Sequence, residues 1–464
     1  MATNRDHLEP VVDPAYCKGC GRCIDACPHH CIEMGHDINP LTGLTPIIMN
    51  LEACSHCGLC VVACPEPYGL HMEDVEDYSV VGKDTFDGVK KTRPDATDLP
   101  GKRLPMDPGL PLLIKGTYAS SIGAILAGCR HFYGYPITPS TEGAELMAKL
   151  LPKLNGIFIQ AVSEVATINM MYGTGGAGLP CMTFTSSPGF SLMLEGISYM
   201  IGAEVPGVVV NIMRGGPGLG NIAPEQSDIK LVCRGLGHGN THAIVLAPAT
   251  PQEMLDFTML SFELTFKYRH PVILVADGYL GQITGKVTLP DHFIQPGLPA
   301  WAVSGDAMHR GNLIASIDIT ESDLEARNIR LNEKYDRMIQ SEQRYDEFFC
   351  DDAEILIVAV NTPAQMAKGA VQELRHRGIA AGLFRPLTLW PFPSAGLLKR
   401  MPQLRQLVVV EASNGQLEDE IRLQLNKAGV WPLPPIDHVR RFGGILPQSS
   451  EIITKVLELE GVGV

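Results

Sequence analysis

Residues 17–28 read CKGCGRCIDACP and residues 54–65 read CSHCGLCVVACP, two copies of one cysteine spacing near the start of the chain. Cys17, Cys20, Cys23 and Cys27 are closed by Pro28; Cys54, Cys57, Cys60 and Cys64 repeat the pattern and are closed by Pro65. Three closely spaced thiolates can cap one face of a [4Fe–4S] cube, and in doubled runs the fourth thiolate reaches the other cube. The crossed rule gives one cube Cys17, Cys20, Cys23 and Cys64, and the other Cys54, Cys57, Cys60 and Cys27. Two zinc sites would call for paired ligands and no third evenly spaced cysteine. A disulfide framework belongs to small secreted domains, whereas this chain is long and shows no signal-peptide pattern. Cys31, one helical turn beyond Cys27, is surplus to both sets and is expected to be a buried thiol. Clusters carry electrons one at a time, so redox chemistry lies in or beside this chain.

Composition bounds the rest. A chain of 464 residues exceeds one core and points to about three domains. With 45% hydrophobic residues there is material for packed interiors. No uncharged apolar run of about eighteen residues appears, so no membrane span is expected. The stretch from Ile122 to Cys129 comes nearest but is short and broken by glycine. A net charge of −14 with no basic cluster argues against nucleic acid as a partner. Ligating cysteines, with unpaired Cys129, Cys181, Cys233 and Cys350 elsewhere, point to the reducing cytoplasm.

Along the chain, residues 1–72 form the cysteine-rich unit, an α+β domain by expectation. Residues 73–111 are acidic and proline-rich without a sustained period, and read as a linker. From 112 to 288 strand-like runs (HFYGY, IFIQAV, MTFT, GVVVNIM, HAIVLAP, VILVAD) alternate with helix-like ones, among them Glu142 to Leu150. That alternation predicts a parallel, doubly wound α/β sheet covered on both faces. Residues 289–352 read as a polar connection with one helix, DLEARNIRLNEKYDRMIQSEQRYDEF. Residues 353–464 resume the βα alternation as a smaller α/β domain, with strands EILIVAV, AAGLF and QLVVVEA.

In open α/β sheets ligands gather where strands end and helices begin. Four such corners stand out. Tyr135-Pro136-Ile137-Thr138-Pro139-Ser140-Thr141 presents three hydroxyls beside a helix start, which is equally an ordinary capped N-terminus. Glu164, in Gln160 to Glu164, opens a helix, as dipole arguments alone would allow. Arg214 follows an apolar strand and precedes Gly215 and Gly216; it suits a carboxylate clamp or a packing role. Thr185 to Gly189 is a further hydroxyl-rich turn. RGGPGLGN is no phosphate loop, since the lysine and hydroxyl that would follow are missing.

The stretches GYPITPSTE, SEVATINMMYGTGGAG, TSSPGFSLMLEGISYM, NIMRGGPGLGN and HPVILVADGYLGQ together resemble the α subunit of thiamine-dependent 2-oxoacid:ferredoxin oxidoreductases. RPLTLWPFP, EASNGQLEDEIR and FGGILP are similar to the transketolase-C-like domain of that family, and residues 1–72 to its ferredoxin-like δ subunit. The resemblance implies a δ–α fusion whose fold is α/β. A thiamine-enzyme pyrimidine-type doubly wound domain and a transketolase-C-like α/β domain are preceded by a two-cluster bacterial ferredoxin-like α+β domain.

It implies that Glu164 hydrogen-bonds N1′ of the thiamine aminopyrimidine, and that Thr138 and Arg214 hold the carboxylate of the 2-oxoacid. Thiamine enzymes hold Mg2+ and the diphosphate with a GDG motif, which this chain lacks; Ala276-Asp277-Gly278 misses the first glycine. In the family that half of the site belongs to a β subunit, and a γ subunit usually completes the assembly. Thiamine diphosphate and Mg2+ are therefore expected to be shared with a partner, with coenzyme A as co-substrate and ferredoxin as electron acceptor. The chain alone is expected to be inert.

INMMYGTGGAG and RGGPGLGN read nearest to the branched-chain, 2-oxoisovalerate group, although 2-oxoglutarate enzymes share nearly the same framework. A reading of another class is a non-catalytic electron-transfer module on an α/β docking scaffold. A mere scaffold has no reason to keep Glu164, Thr138 and Arg214 together at strand ends.

Overall fold

The computed structural model describes residues 8–40, 42–66, 69–74, 111–292, 294 and 296–461. The chain divides into two compact units, Met1–Arg93 and Pro94–Val464. Most of the expected linker, residues 75–110, lies outside the described residues.

In the first unit, strand Leu8–Val12 pairs antiparallel with Leu70–Asp74, and Ile32–Met34 with Ile47–Met49. Two short helices, Arg22–Ala26 and Leu59–Ala63, sit inside the two cysteine runs. The buried cluster comprises Cys23, Cys27, Cys31, Ile32, Ile47, Cys60 and Leu70. More than half of that interior is cysteine, so little of it is ordinary apolar packing.

The second unit is built on two large sheets, beside a two-stranded one of Pro111–Lys115 and Thr284–Thr288. The larger has seven strands in the order Thr388–Trp390, Ile244–Leu246, Pro271–Asp277, Gly207–Met213, Cys181–Thr185, His131–Gly134, Ile157–Gln160. All neighbours pair in parallel except Thr388–Trp390, which runs antiparallel to Ile244–Leu246. Every residue of Gly207–Met213 and Pro271–Asp277 is buried, as continuous apolar runs covered on both faces should be. At roughly 25 cal/mol per Å2 of apolar surface, each buried Val or Ile there stabilises the fold by about 1.5–3 kcal/mol.

The smaller sheet has the order Tyr345–Phe348, Ala381–Pro386, Ile355–Ala359, Gln406–Glu411, Ile436–Arg440, parallel but for its first strand. Two elements depart from the sequence reading. The helix expected to run on to Phe348 spans Glu321–Ser341 instead. It ends where the buried Glu342 carboxylate accepts from Lys267 Nζ, Tyr268 Oη and Arg344, and the tail Tyr345–Phe348 then pairs with Ala381–Pro386. The second departure is TLW, which lies within RPLTLWPFP yet forms the edge strand of the larger sheet.

Side chains also join the two sheets. Asn361, at φ 53°, donates from Nδ2 to the carbonyls of Pro248 and Val275, both at 2.9 Å. Arg385 grips Glu253 through two 2.7 Å hydrogen bonds.

Candidate functional site

Each cysteine run turns tightly before its helix. Gly21 (φ 78°) and Gly58 (φ 74°) are the left-handed N-caps of Arg22–Ala26 and Leu59–Ala63. A side chain would be strained at that φ, which accounts for glycine directly after the second cysteine of both runs. The folded runs bring the eight cysteines into two groups. Burial pushes the Cys23 thiol up to about 11, and the neighbouring Cys17, Cys64 and Cys20 push the same way. Cys27, Cys54, Cys57 and Cys60 line a second space.

Cys31 lines that space too. It is buried, as the sequence reading expects of a surplus thiol, but it stands beside the ligand set rather than apart from it. Cys27 is held below the ordinary cysteine value, chiefly by the backbone N–H of Cys31; burial opposes, and the Cys31 side chain and the N–H groups of His29 and His30 assist. Burial, with neighbouring cysteines, raises Cys23, Cys60 and Cys64, a penalty that iron would relieve, so these donors suit the clusters. Among the described residues no three His, Cys, Asp or Glu side chains are grouped so as to hold a single metal ion.

In the second unit the sheet topology makes a crevice. The chain enters at His131–Gly134, lays Ile157–Gln160 on one side of that strand and Cys181–Thr185 on the other. Strand order reverses there, the kind of position at which open α/β sheets take their ligands. The corners picked out by the sequence all sit at this end of the sheet.

Glu164 opens the helix Glu164–Gly176 behind Ser163, whose hydroxyl accepts the Ala166 N–H at 3.2 Å. Only 4% of Glu164 is exposed. Its carboxylate lies over Gly189, where an added Cβ would collide with Glu164 Oε1 and Thr185 Oγ1. The Gly189 position thus keeps open the space that the carboxylate occupies.

Arg214 donates from one terminal nitrogen to the Thr138 carbonyl at 2.7 Å and from the other to the Leu219 carbonyl at 3.2 Å. Arg214 and Thr138 therefore meet through the Thr138 backbone. Arg214 Nε, Thr185 Oγ1, Ser186 Oγ and Asn211 Oδ1 are buried without a partner. Each such atom costs about 1–3 kcal/mol when left unpaired. Four of them lie on or just beyond the neighbouring strands Cys181–Thr185 and Gly207–Met213.

A buried network holds this edge still. Asp228 Oδ2 accepts from Ser187 Oγ at 2.6 Å and from Asn211 Nδ2 at 2.8 Å, while the Arg214 N–H donates to Ser187 Oγ at 3.1 Å. Burial pushes the Asp228 carboxyl up, and the donors from Ser187, Asn211 and Ser227 hold it down. Past Arg214, Asn221 Nδ2 donates to the Gly443 carbonyl and the Gly443 N–H donates to Glu225 Oε2. FGGILP thus braces the RGGPGLGN loop.

Asp277, of the incomplete ADG string, is fully buried. It accepts the N–H groups of Tyr279 and Leu280 at 3.0 Å and both the N–H and hydroxyl of Thr362 at 2.9 Å. Protein donors occupy both oxygens, so it serves as a pin between the sheets and not as a metal ligand.

Sequence reasoning passes over Asn211 and Asp228. A lone asparagine inside the apolar run GVVVNIM is the signal available for the first. Asp228 offers none, because its role depends on strands distant in the chain.

Three stretches match described families. Residues 16–67 match "4Fe-4S dicluster domain", 122–308 "Pyruvate flavodoxin/ferredoxin oxidoreductase, thiamine diP-bdg", and 353–452 "Pyruvate:ferredoxin oxidoreductase core domain II". The ketoisovalerate oxidoreductase subunit VorB of Methanothermobacter thermautotrophicus is 42% identical over 351 residues, covering 75% of this chain and 98% of that relative. The chain belongs to the 2-oxoacid:ferredoxin oxidoreductase family. It is an oxidoreductase subunit with an N-terminal 4Fe–4S ferredoxin domain and a thiamine diphosphate-binding domain.

Another member of this family, the 2-oxoglutarate synthase subunit KorA of Methanocaldococcus jannaschii, is 35% identical over 74% of this chain and 98% of its own length. A solved 2-oxoglutarate:ferredoxin oxidoreductase from Magnetococcus marinus, with 2-oxoglutarate, coenzyme A and succinyl-CoA bound, superposes with a TM-score of 0.69 at 26% identity. That superposition covers 75% of this chain and 65% of the other. The thiamine-enzyme α/β fold with an N-terminal ferredoxin-like region is the one expected from the sequence. Among the described residues no helix is long and apolar enough to cross a membrane.

Proposed function

We propose that this chain is the δ–α fusion subunit of a complex that oxidatively decarboxylates a branched-chain 2-oxoacid of the 2-oxoisovalerate type. Coenzyme A takes the acyl group as acyl-CoA, CO2 leaves, and electrons pass through two [4Fe–4S] clusters to ferredoxin. The observation that carries the reading is the buried Glu164 carboxylate beside Gly189 and the unpartnered Thr185 Oγ1, at the same end of the sheet as the unpartnered Ser186 Oγ, Asn211 Oδ1 and Arg214 Nε.

Thiamine diphosphate, when bound, supplies the electron sink for decarboxylation. In this reading Glu164 hydrogen-bonds ring nitrogen N1′, and its burial strengthens that hydrogen bond. Arg214, fixed by two backbone carbonyls, keeps Nε for the substrate carboxylate beside the Thr138 loop. The Asp228 network keeps Arg214 in register with the helix start at Ser187. Mg2+ and the diphosphate fall to a β subunit with a GDG motif, since Asp277 is otherwise engaged; a γ subunit completes the complex, which works in the cytoplasm.

Two comparisons support the finer reading. Ketoisovalerate subunits match at 42–43% identity and 2-oxoglutarate subunits at 33–36%. The match to VorB uses 98% of that relative but 75% of this chain, which is what an added N-terminal unit would give. Cys17, Cys20, Cys23 and Cys64 hold one cluster in this reading, and Cys54, Cys57, Cys60 and Cys27 the other.

The test is anaerobic reduction of the co-purified complex by single 2-oxoacids with coenzyme A, followed by cluster bleaching. Bleaching by 2-oxoisovalerate and not by 2-oxoglutarate or pyruvate is the expected result. Bleaching by 2-oxoglutarate alone would reassign the substrate. No bleaching by any 2-oxoacid, with clusters and partners present, would favour an electron-transfer docking subunit.

A further inference from the structure

The two crossing cysteines occupy unlike surroundings. Cys27 Sγ lies 3.3 Å from Cys31 Sγ. Cys64 Sγ lies 3.4 Å from the carbonyl oxygen of Glu66 and has the Glu66 backbone N–H beside it, but among the described residues no side-chain donor like Cys31 faces it. The repeat itself breaks here, because the second run carries Tyr68 where the first carries Cys31. Lys18, next to Cys17 in the chain, is neutralised by Glu66 at 2.7 Å and gives the first group no free positive charge.

Cys31 is held in place from both sides. Its carbonyl accepts the Asn50 N–H at 2.8 Å, and the following residue, Ile32, pairs with Met49 across the small sheet. It is buried and lines the same space as Cys27, Cys54, Cys57 and Cys60. In a loaded site a sulfur bonded to iron has no proton, so Cys27 must accept and the Cys31 S–H must donate. Reduction adds negative charge to a cube and its thiolates. A hydrogen bond to a ligand sulfur stabilises the reduced form and raises the potential.

We propose that Cys31 donates an S–H hydrogen bond to the Cys27 ligand. It thereby sets the cluster of Cys54, Cys57, Cys60 and Cys27 at a more positive potential than the cluster of Cys17, Cys20, Cys23 and Cys64. This rests on the two-cluster reading above. Cys31 acts through Cys27 and is a tuning residue, not a ligand. Electrons entering the unit settle first on the cube that it serves.

The test is an anaerobic redox titration of the full complex by EPR, for the wild type, Cys31→Ala and Cys31→Ser, after iron and sulfide analysis. Both variants should retain iron for two cubes per chain. Cys31→Ala should move one midpoint potential to a more negative value and leave the other in place. Cys31→Ser, whose hydroxyl still donates, should restore most of the shift. Unchanged potentials, a shift of both, or no rescue by serine would overturn the proposal. So would loss of a cube in Cys31→Ala, which would make Cys31 a ligand. Iron for a single cube, or none, in the wild type would overturn the two-cluster reading instead.

Discussion

The two units assemble their chemistry in opposite ways. In the first, successive cysteines of each run lie three or four positions apart, and a few backbone turns suffice to aim them. Its interior is largely the cysteines themselves, so metal and fold depend on each other. In the second, Thr138, Glu164, Thr185 and Arg214 lie at or just past the ends of four different strands, and only the order of those strands brings them to one end of the sheet. That unit has large apolar cores of its own, and its cofactor is a guest. A site made by spacing is thus tied to its metal, whereas a site made by topology persists without its ligand.

The largest expected effect tests that contrast directly. Anaerobic removal of iron by a chelator should unfold residues 8–74, read by hydrogen exchange and mass spectrometry, while the larger unit keeps its protection. Retained protection in the first unit after iron loss would break the contrast.

Next, Glu164→Gln should lower turnover by about 10²- to 10⁴-fold, the range for losing a proton-handling group. Dithionite should still reduce the clusters normally, and the melting temperature should not move. Gly189→Ala, which pushes a methyl group into the Glu164 carboxylate, should approach the same loss. Near-normal turnover in Glu164→Gln would remove that residue from the mechanism.

A smaller effect concerns the joint between the sheets. Asn361→Ala strands the buried carbonyls of Pro248 and Val275 and leaves alanine at positive φ. Destabilisation of about 2–4 kcal/mol is expected, measured by denaturant unfolding of the larger unit.

The last effect is in the pH dependence and vanishes near neutrality. His270 is fully buried, its Nε2 faces the His242 carbonyl at 2.6 Å, and burial, followed by nearby Lys334, lowers its pKa to about 3. Below its ordinary value the unfolded chain takes up the proton and the folded one does not. Stability from this group is therefore complete above about pH 6.5 and falls by about 1.4 kcal/mol per pH unit on acidification toward 3. His270→Gln should flatten the low-pH slope of the melting temperature.

The sequence makes these regions legible to different degrees, for the same physical reason. Spacing carries the cysteine runs outright, and the βα alternation carries the doubly wound sheet. Glu164 read alone is a first-turn carboxylate like many others; only the motifs around it single it out. The orphaned atoms of Thr185, Ser186 and Asn211 are illegible, since a missing partner is a property of neighbouring strands. Tyr345–Phe348 reads as helix because it prolongs a charged helical pattern, and only pairing with Ala381–Pro386 makes it a strand.

The strand Thr388–Trp390 sets a limit on how this polypeptide can be divided. It covers the Ile244–Leu246 border of the larger sheet, although it comes from the far side of the Asn361–His376 helix in the chain. A fragment stopped before residue 353 would bare a row of unsatisfied backbone groups on an apolar border. Such a row is a template on which other copies can add. Cut at the seam that its length invites, the thiamine-binding half should be a seed for aggregates and not a domain to be studied alone.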